Sequence, residues 1–232
     1  MNEVSKASLS RPQMILIDVD GTLVDSVPDL AFCVDEMMVA VEMPKRGEAA
    51  VREWVGNGVE KLVRRALTNS LDGEPEDEIF NKANPIFLEL YKENTCKRST
   101  LYPGVIEAMD YFAEQGYKLG CVTNKAEQFT RPLLEQLGLL DRFEILICGD
   151  TLEKKKPDPL PLLHAAKYFS VEPENALMLG DSISDVTAAR AANFKIVCMS
   201  YGYNHGVDIR EANPDAVIDR MDDISKLLEN EN

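Results

Sequence analysis

Short apolar runs recur along the chain at Met14–Ile17, Leu119–Val122, Ile145–Cys148, Ala176–Leu179, Ile196–Met199 and Ala216–Ile218. They are continuous rather than alternating, the pattern of strands buried on both faces of a parallel sheet. From the second run onward, segments of helical spacing separate most of them. Val105, Met109 and Phe112 share one face of a helix that Gly116 closes, and Leu133, Leu134 and Leu137 do the same before Gly138. Leu162, Leu163, Ala166 and Phe169 form a third stripe. Asn193 follows "DVTAARAA", where a left-handed C-terminal residue is wanted, a role asparagine fills. Strand-helix alternation of this kind predicts an α/β fold, a Rossmann-like three-layer core with helices on both faces of a central parallel sheet.

Between about Asp29 and Thr100 the alternation stops. Leu30, Val34, Met37, Met38 and Val41 follow helical spacing, as do Leu62, Val63, Ala66 and Leu67, and later Ile79, Phe87, Leu90 and Tyr91. No run there reads as a strand. The pattern predicts a small all-helical domain over 29–100, inserted after the first strand into a core made of 13–28 and 101–232. The flanks "SVPD" and "TLYPG" carry the proline and glycine expected at the crossings. Residues 1–12 read as a flexible lead.

Composition narrows the function. A net charge of −15 and a pI near 4.6 argue against a nucleic-acid partner, which calls for a basic face. No apolar run reaches the 18 residues of a membrane-spanning helix, and the N-terminus lacks the apolar stretch of a signal peptide. The five cysteines are odd in number and widely spaced, with Cys121, Cys148 and Cys198 inside apolar runs. Buried free thiols in a reducing, cytoplasmic setting are the expectation. Monomer and homodimer are both open.

The chemistry collects at strand ends. In an open parallel sheet, ligands bind outside the carboxyl ends of the strands, where strand order reverses. "ILIDVDGTLVDS" runs from a strand straight into Asp18 and Asp20. Thr123-Asn124-Lys125 follows "LGCV", Lys156-Pro157 lies shortly after "ILICGD", and Asp181 with Asp185 follows "ALMLG". Two carboxylates about 4 Å apart repel by ~4 kcal/mol at an effective dielectric near 20. Several converging acids with few bases therefore point to a hard cation, and Mg2+ accepts a shell of carboxylates and phosphate oxygens. The Thr123 hydroxyl, Asn124 amide and Lys156 ammonium suit phosphoryl oxygens, and a strand-end carboxylate can act as a nucleophile.

The ordered set "DVDGTLVDS", "TNK", "KKPDP" and "GDSISDV" resembles the haloacid-dehalogenase superfamily of phosphohydrolases, over essentially 14–228. The resemblance implies an Mg2+-dependent phosphatase acting on a small phosphorylated metabolite. It casts Asp18 as nucleophile and metal ligand, and Asp20 as general acid/base with its backbone carbonyl on the metal. Thr123 and Asn124 hold the phosphoryl group, Lys156 neutralises charge, Asp181 ligates the metal and Asp185 supports it. Ser184 stands where the family often has Asn. The helical insert corresponds to the family's mobile cap.

Rival chemistries are weaker. No Cys is followed six residues later by Arg, which removes a cysteine-phosphatase loop. A dehalogenase has no use for Asp20. A phosphatase or mutase acting on a hexose phosphate shares all four motifs and is the alternative. Within the insert, Gly56-Asn57-Gly58 reads as a turn opening a helix that carries Lys61, Arg64 and Arg65. Gly58 and Arg65, with Lys61 on the same helical face, are the candidates for gripping a second anionic group on the substrate. Asp25 and Ser26 read as a local turn or helix cap, Lys154 and Lys155 as a solvated run, and His164 and His205 as structural or surface residues.

Overall fold

The computed structural model describes residues 9–228. The six apolar runs form one parallel sheet: β1 (Met14–Ile17), β4 (Lys118–Val122), β5 (Ile145–Ile147), β6 (Ala176–Gly180), β7 (Lys195–Met199) and β8 (Ala216–Ile218), in the order β5-β4-β1-β6-β7-β8. β1 is central, pairing Met14 with Lys118 of β4 on one side and with Ala176 of β6 on the other. The period of two decides which layer each residue joins. Ile15 and Ile17 pack under α5 (Val105–Glu114), α6 (Glu127–Gln136) and α9 (Ile224–Leu228), whereas Met14 and Leu16 face α7 (Leu160–Phe169) and α8 (Ile183–Ala191). Burying such side chains from water contributes roughly 1.5–3 kcal/mol each. Asn193 takes the left-handed conformation after α8, with φ of 63°.

Two further strands escaped the apolar pattern because each has two residues: β2 (Val24–Asp25) and β3 (Thr100–Leu101), an antiparallel ribbon where the chain leaves and re-enters the core. Between them lie α1 (Val27–Ala40), α2 (Gly47–Trp54), α3 (Val59–Thr68) and α4 (Asp77–Glu93), a helical cap with its own apolar cluster. Both crossings are pinned. Arg52 of α2 grips both Asp25 oxygens at 3.2 and 3.1 Å. Asp29, fully buried, accepts from the Arg98 and Ser99 backbone amides at 2.8 Å each and from the Ser99 hydroxyl at 2.7 Å. Asp25 is thus a hinge tie rather than a local turn residue, and the Ser26 side chain makes no cap bond to α1.

The expected flexible lead needs a correction for 9–12; residues 1–8 lie outside the described chain. Leu9 is buried in the core cluster, and Arg11 donates to the Gln115 carbonyl while stacking over Tyr117. Burial of Leu9 and the stacking of Arg11 over Tyr117 hold this segment against the core.

Candidate active site

Because β1 has neighbours on both sides, the ends of β1, β4 and β6 bring their loops onto one rim. Asp18 ends β1. Its Oδ1 accepts from the Val19 amide at 2.7 Å and its Oδ2 pairs with Lys156 Nζ at 3.0 Å. Lys156, 1% exposed, also meets Asp185 Oδ1 at 2.7 Å and donates to the Val122 carbonyl at 2.7 Å. Asp185 has a second task. Its Oδ2 accepts from the Ser182 amide and hydroxyl, closing a capping box at the start of α8. Asp181 is fixed by the Thr22 hydroxyl at 2.7 Å and the Tyr203 amide at 2.6 Å.

The electrostatics of this floor are unbalanced. Burial raises the Asp18 pKa, the Lys156 ammonium opposes it and the Asp185 charge adds to it, leaving the carboxyl at about 6. Burial, with Asp185 and Asp18 as like charges, holds Asp181 well above the usual carboxylate range. Asp18, Asp181 and Asp185 each offer an oxygen, all within 4.8 Å of one another. Hard carboxylate donors at that spacing, short of positive charge, fit a dication.

Asp20 stands apart from that cluster. Its carboxylate is held by Lys125, whose Nζ lies 3.1 and 3.2 Å from the two oxygens and also donates to the Tyr91 hydroxyl of α4. Thr123, buried, accepts from the Lys125 amide at 3.2 Å. Asn124 uses its amide nitrogen to hold the Lys156 carbonyl at 2.8 Å.

A cavity opens above the floor, lined by Asp18, Asp20, Thr123, Asn124, Lys125, Lys156 and Asp181 from the core and by Leu30 and 55–59 with Leu62 from the cap. Gly58, with φ of 95°, caps the N-terminus of α3 at the cavity wall. Arg65 is not there, which corrects the expectation from its spacing. It is 8% exposed, and its guanidinium donates to the carbonyls of Trp54, Gly56 and Leu71 and to Asn57 Oδ1. It braces the turn from behind, while Lys61 points outward to Glu74 at 2.8 Å.

Lys155, read as part of a solvated run, and His205, read as a structural or surface residue, close the cap onto the core together with Ser184. Lys155 donates to the Asn57 carbonyl at 2.9 Å, His205 Nδ1 meets the Glu53 carbonyl at 2.7 Å and lines the cavity, and Ser184 accepts from the Asn57 amide at 3.4 Å. Tyr203 joins them, its amide on Asp181 and its hydroxyl on Asp25. No local sequence signal marks the contacts that Lys155, His205 and Ser184 make with the cap or the one between Tyr203 and Asp25, since each of those partners is more than 90 positions away.

An acidic cluster at the switch point of a parallel sheet, under a helical cap, defines a class: the chain belongs to the haloacid dehalogenase-like hydrolases, whose family model matches residues 15–199. More narrowly, it is 64% identical over 220 residues to the phosphoglycolate phosphatase of Nitrosococcus oceani, covering 95% of this chain and 98% of that one. The phosphoglycolate phosphatase of Nitrosospira multiformis is 42% identical over 93% of this chain and 95% of its own. A crystal structure from Haemophilus somnus, described as a predicted phosphoglycolate phosphatase, superposes with a TM-score of 0.88 at 35% identity, covering 93% of this chain and 97% of that one. Among the described residues no helix is long and apolar enough to cross a membrane.

Proposed function

We propose that the protein is an Mg2+-dependent phosphatase that hydrolyses 2-phosphoglycolate to glycolate and phosphate through an aspartyl-phosphate on Asp18. The observation that carries the reading is the Asp18–Lys156–Asp185 chain on the floor of the cavity between core and cap, with Asp20 lining the same cavity. The likeness to the N. oceani enzyme supports the choice of substrate.

Asp18 attacks phosphorus in line with the ester oxygen. As the ester P–O bond breaks, Asp20 gives its proton to the departing oxygen, and an acyl phosphate remains on Asp18. Asp20, now ionised, takes a proton from water, whose oxygen attacks phosphorus; the bond to Asp18 breaks and both carboxyl groups return to their starting states. Lys156 holds positive charge against the transferring group, and the Thr123 hydroxyl and Asn124 orient it. Mg2+, held by Asp18, Asp181, Asp185 and the Asp20 carbonyl, supplies charge neutralisation of the phosphoryl oxygens when bound. The substrate carboxylate lies toward the Gly58 end of α3, where the helix dipole is positive and Lys155 is adjacent. The cap shields the acyl phosphate from bulk water.

The test is phosphate release across a panel of 2-phosphoglycolate, hexose phosphates and 4-nitrophenyl phosphate, with Mg2+, with Ca2+ and after exhaustive chelation. The expected result is the highest kcat/KM on 2-phosphoglycolate, loss on chelation, recovery with Mg2+ and poor recovery with the larger Ca2+. A hexose phosphate turned over with higher kcat/KM would overturn the substrate, and full activity after metal removal would overturn the metal.

A further inference from the structure

We propose that Lys125 is a positioning residue of this phosphatase reaction, holding Asp20 toward the reacting oxygens while Tyr91 of the cap holds Lys125. The inference rests on the phosphatase reading above. Its physical basis is the valence of an ammonium, which carries three N–H donors and no acceptor. Three oxygens surround Lys125 Nζ: both of Asp20, at 3.1 and 3.2 Å, and the hydroxyl of Tyr91. Among the described residues no other side chain donates to the Asp20 carboxylate.

The three groups come from three separate parts of the chain. Asp20 follows β1, Lys125 follows β4, and Tyr91 lies on α4 of the cap. The Lys125 backbone is fixed by the core, its amide on Thr123 Oγ1 at 3.2 Å and its carbonyl accepting from Gly149 at 2.9 Å. Its head is fixed by the cap. Tyr91 is fully buried, its ring 4.8 Å from Phe129 of α6 and 5.6 Å from Phe87, with the Lys125 nitrogen 4.7 Å from the ring centroid. Burial disfavours the Lys125 charge, but Asp20 and then Tyr91 outweigh it and keep the pKa above the ordinary lysine range.

An ammonium this far from water has nowhere to sit without those oxygens, since a buried ion stripped of its partner costs several kcal/mol. Lifting the cap removes the Tyr91 hydroxyl. Lys125 then loses one of its three anchors, and Asp20 loses the fixed geometry that proton transfer to an oxygen about 3 Å away demands. Proton transfer is thereby confined to the closed state, when substrate is enclosed.

The experiment compares Tyr91→Phe, Lys125→Arg and Lys125→Met with the unaltered enzyme, using 2-phosphoglycolate and 4-nitrophenyl phosphate. Tyr91→Phe keeps the ring packing and removes only the hydroxyl. Nitrophenolate departs without a proton, so Asp18 still becomes phosphorylated, whereas attack by water still needs Asp20. The readouts are the kcat and KM split and the fraction of phosphorylated protein after acid quench, by intact-protein mass. The expected result for Lys125→Met is a kcat loss on the order of 100-fold with little change in KM and a raised phosphoprotein fraction. Tyr91→Phe should move both readouts in the same direction by a smaller factor, and Lys125→Arg should lie between the unaltered enzyme and Lys125→Met. If Lys125→Met does not fold, Tyr91→Phe decides. Unchanged kcat, a change confined to KM, or slower turnover without phosphoprotein accumulation would each overturn the role of Lys125. Absence of phosphate release by the unaltered enzyme would instead fail the phosphatase reading.

Discussion

Asp18→Asn should abolish turnover and stabilise the metal-free protein at the same time. Asn keeps the shape of the side chain and its oxygen for Lys156, which also retains Asp185 at 2.7 Å and the Val122 carbonyl. What disappears is a buried charge. Burial, opposed by Lys156 and reinforced by Asp185, moves the Asp18 pKa from 3.8 to about 6. At about 1.36 kcal/mol per tenfold change in acid dissociation, the ionised folded state is disfavoured by on the order of 3 kcal/mol. The sign follows from linkage. The folded carboxyl binds its proton more tightly than the unfolded one, so its penalty is absent below the unfolded pKa, grows as pH rises and is complete above the folded pKa. Without metal the variant should exceed the parent by about 3 kcal/mol at pH 7.5 and by only about 1 kcal/mol at pH 4.5. For a chain of this length the difference at pH 7.5 corresponds to a Tm higher by roughly 6–12 °C. Thermal unfolding in chelator at the two pH values measures it, and added Mg2+ should narrow the gap by stabilising the parent. Equal or lower stability of the variant at pH 7.5 would refute the electrostatic reasoning, and more than trace Mg2+-dependent activity would refute the nucleophile.

Two other substitutions probe the frame around the floor. Gly21→Ala puts a Cβ 2.2 Å from Asp181 Oδ2 at a φ of +85°, so Asp181 must move; activity and the rise of Tm on Mg2+ titration should both collapse, and an unchanged Mg2+ response would refute the tight fit. Arg65→Met strands the buried carbonyl of Trp54 and removes the donor to the Gly56 carbonyl, lowering stability by roughly 1–3 kcal/mol in urea unfolding. Because Arg65 braces the turn without entering the cavity, KM should rise for 2-phosphoglycolate and 4-nitrophenyl phosphate alike; selective loss of the former would put Arg65 back in contact with substrate.

The parallel sheet was legible because every one of its strands contains a short apolar run, and the floor was legible because its acids sit shortly after those runs. Chemistry carried by contacts between distant segments was not. "TNK" exposes Lys125 to view, but its hydroxyl partner lies 34 positions earlier on the cap. Spacing placed Lys61 and Arg65 on one helical face without revealing that this face divides. Arg65 lies beside Leu62 and Ala66 in the buried arc of α3, whereas Lys61 is outside it. A charged residue inside an apolar arc is itself a readable signal for a buried donor meeting backbone carbonyls. The β2–β3 ribbon, with two residues to a strand, leaves no periodicity to read.

The central position of β1 also sets the order in which the chain can be made. Its four residues, all buried in the finished sheet, leave the ribosome first, yet their partners Lys118 and Ala176 emerge roughly 100 and 160 residues later. At an elongation rate of about 20 residues per second that is about 5 s before β4 arrives and about 8 s before β6. During that interval the four cap helices, whose contacts are mostly among themselves, can form on the microsecond to millisecond scale of local helical structure. The cap is thus the first unit able to fold, and "MILI" is an apolar strand kept waiting for both its neighbours. Substitutions that weaken the cap therefore act twice, once on the closed enzyme and once on the yield of nascent chain that escapes aggregation.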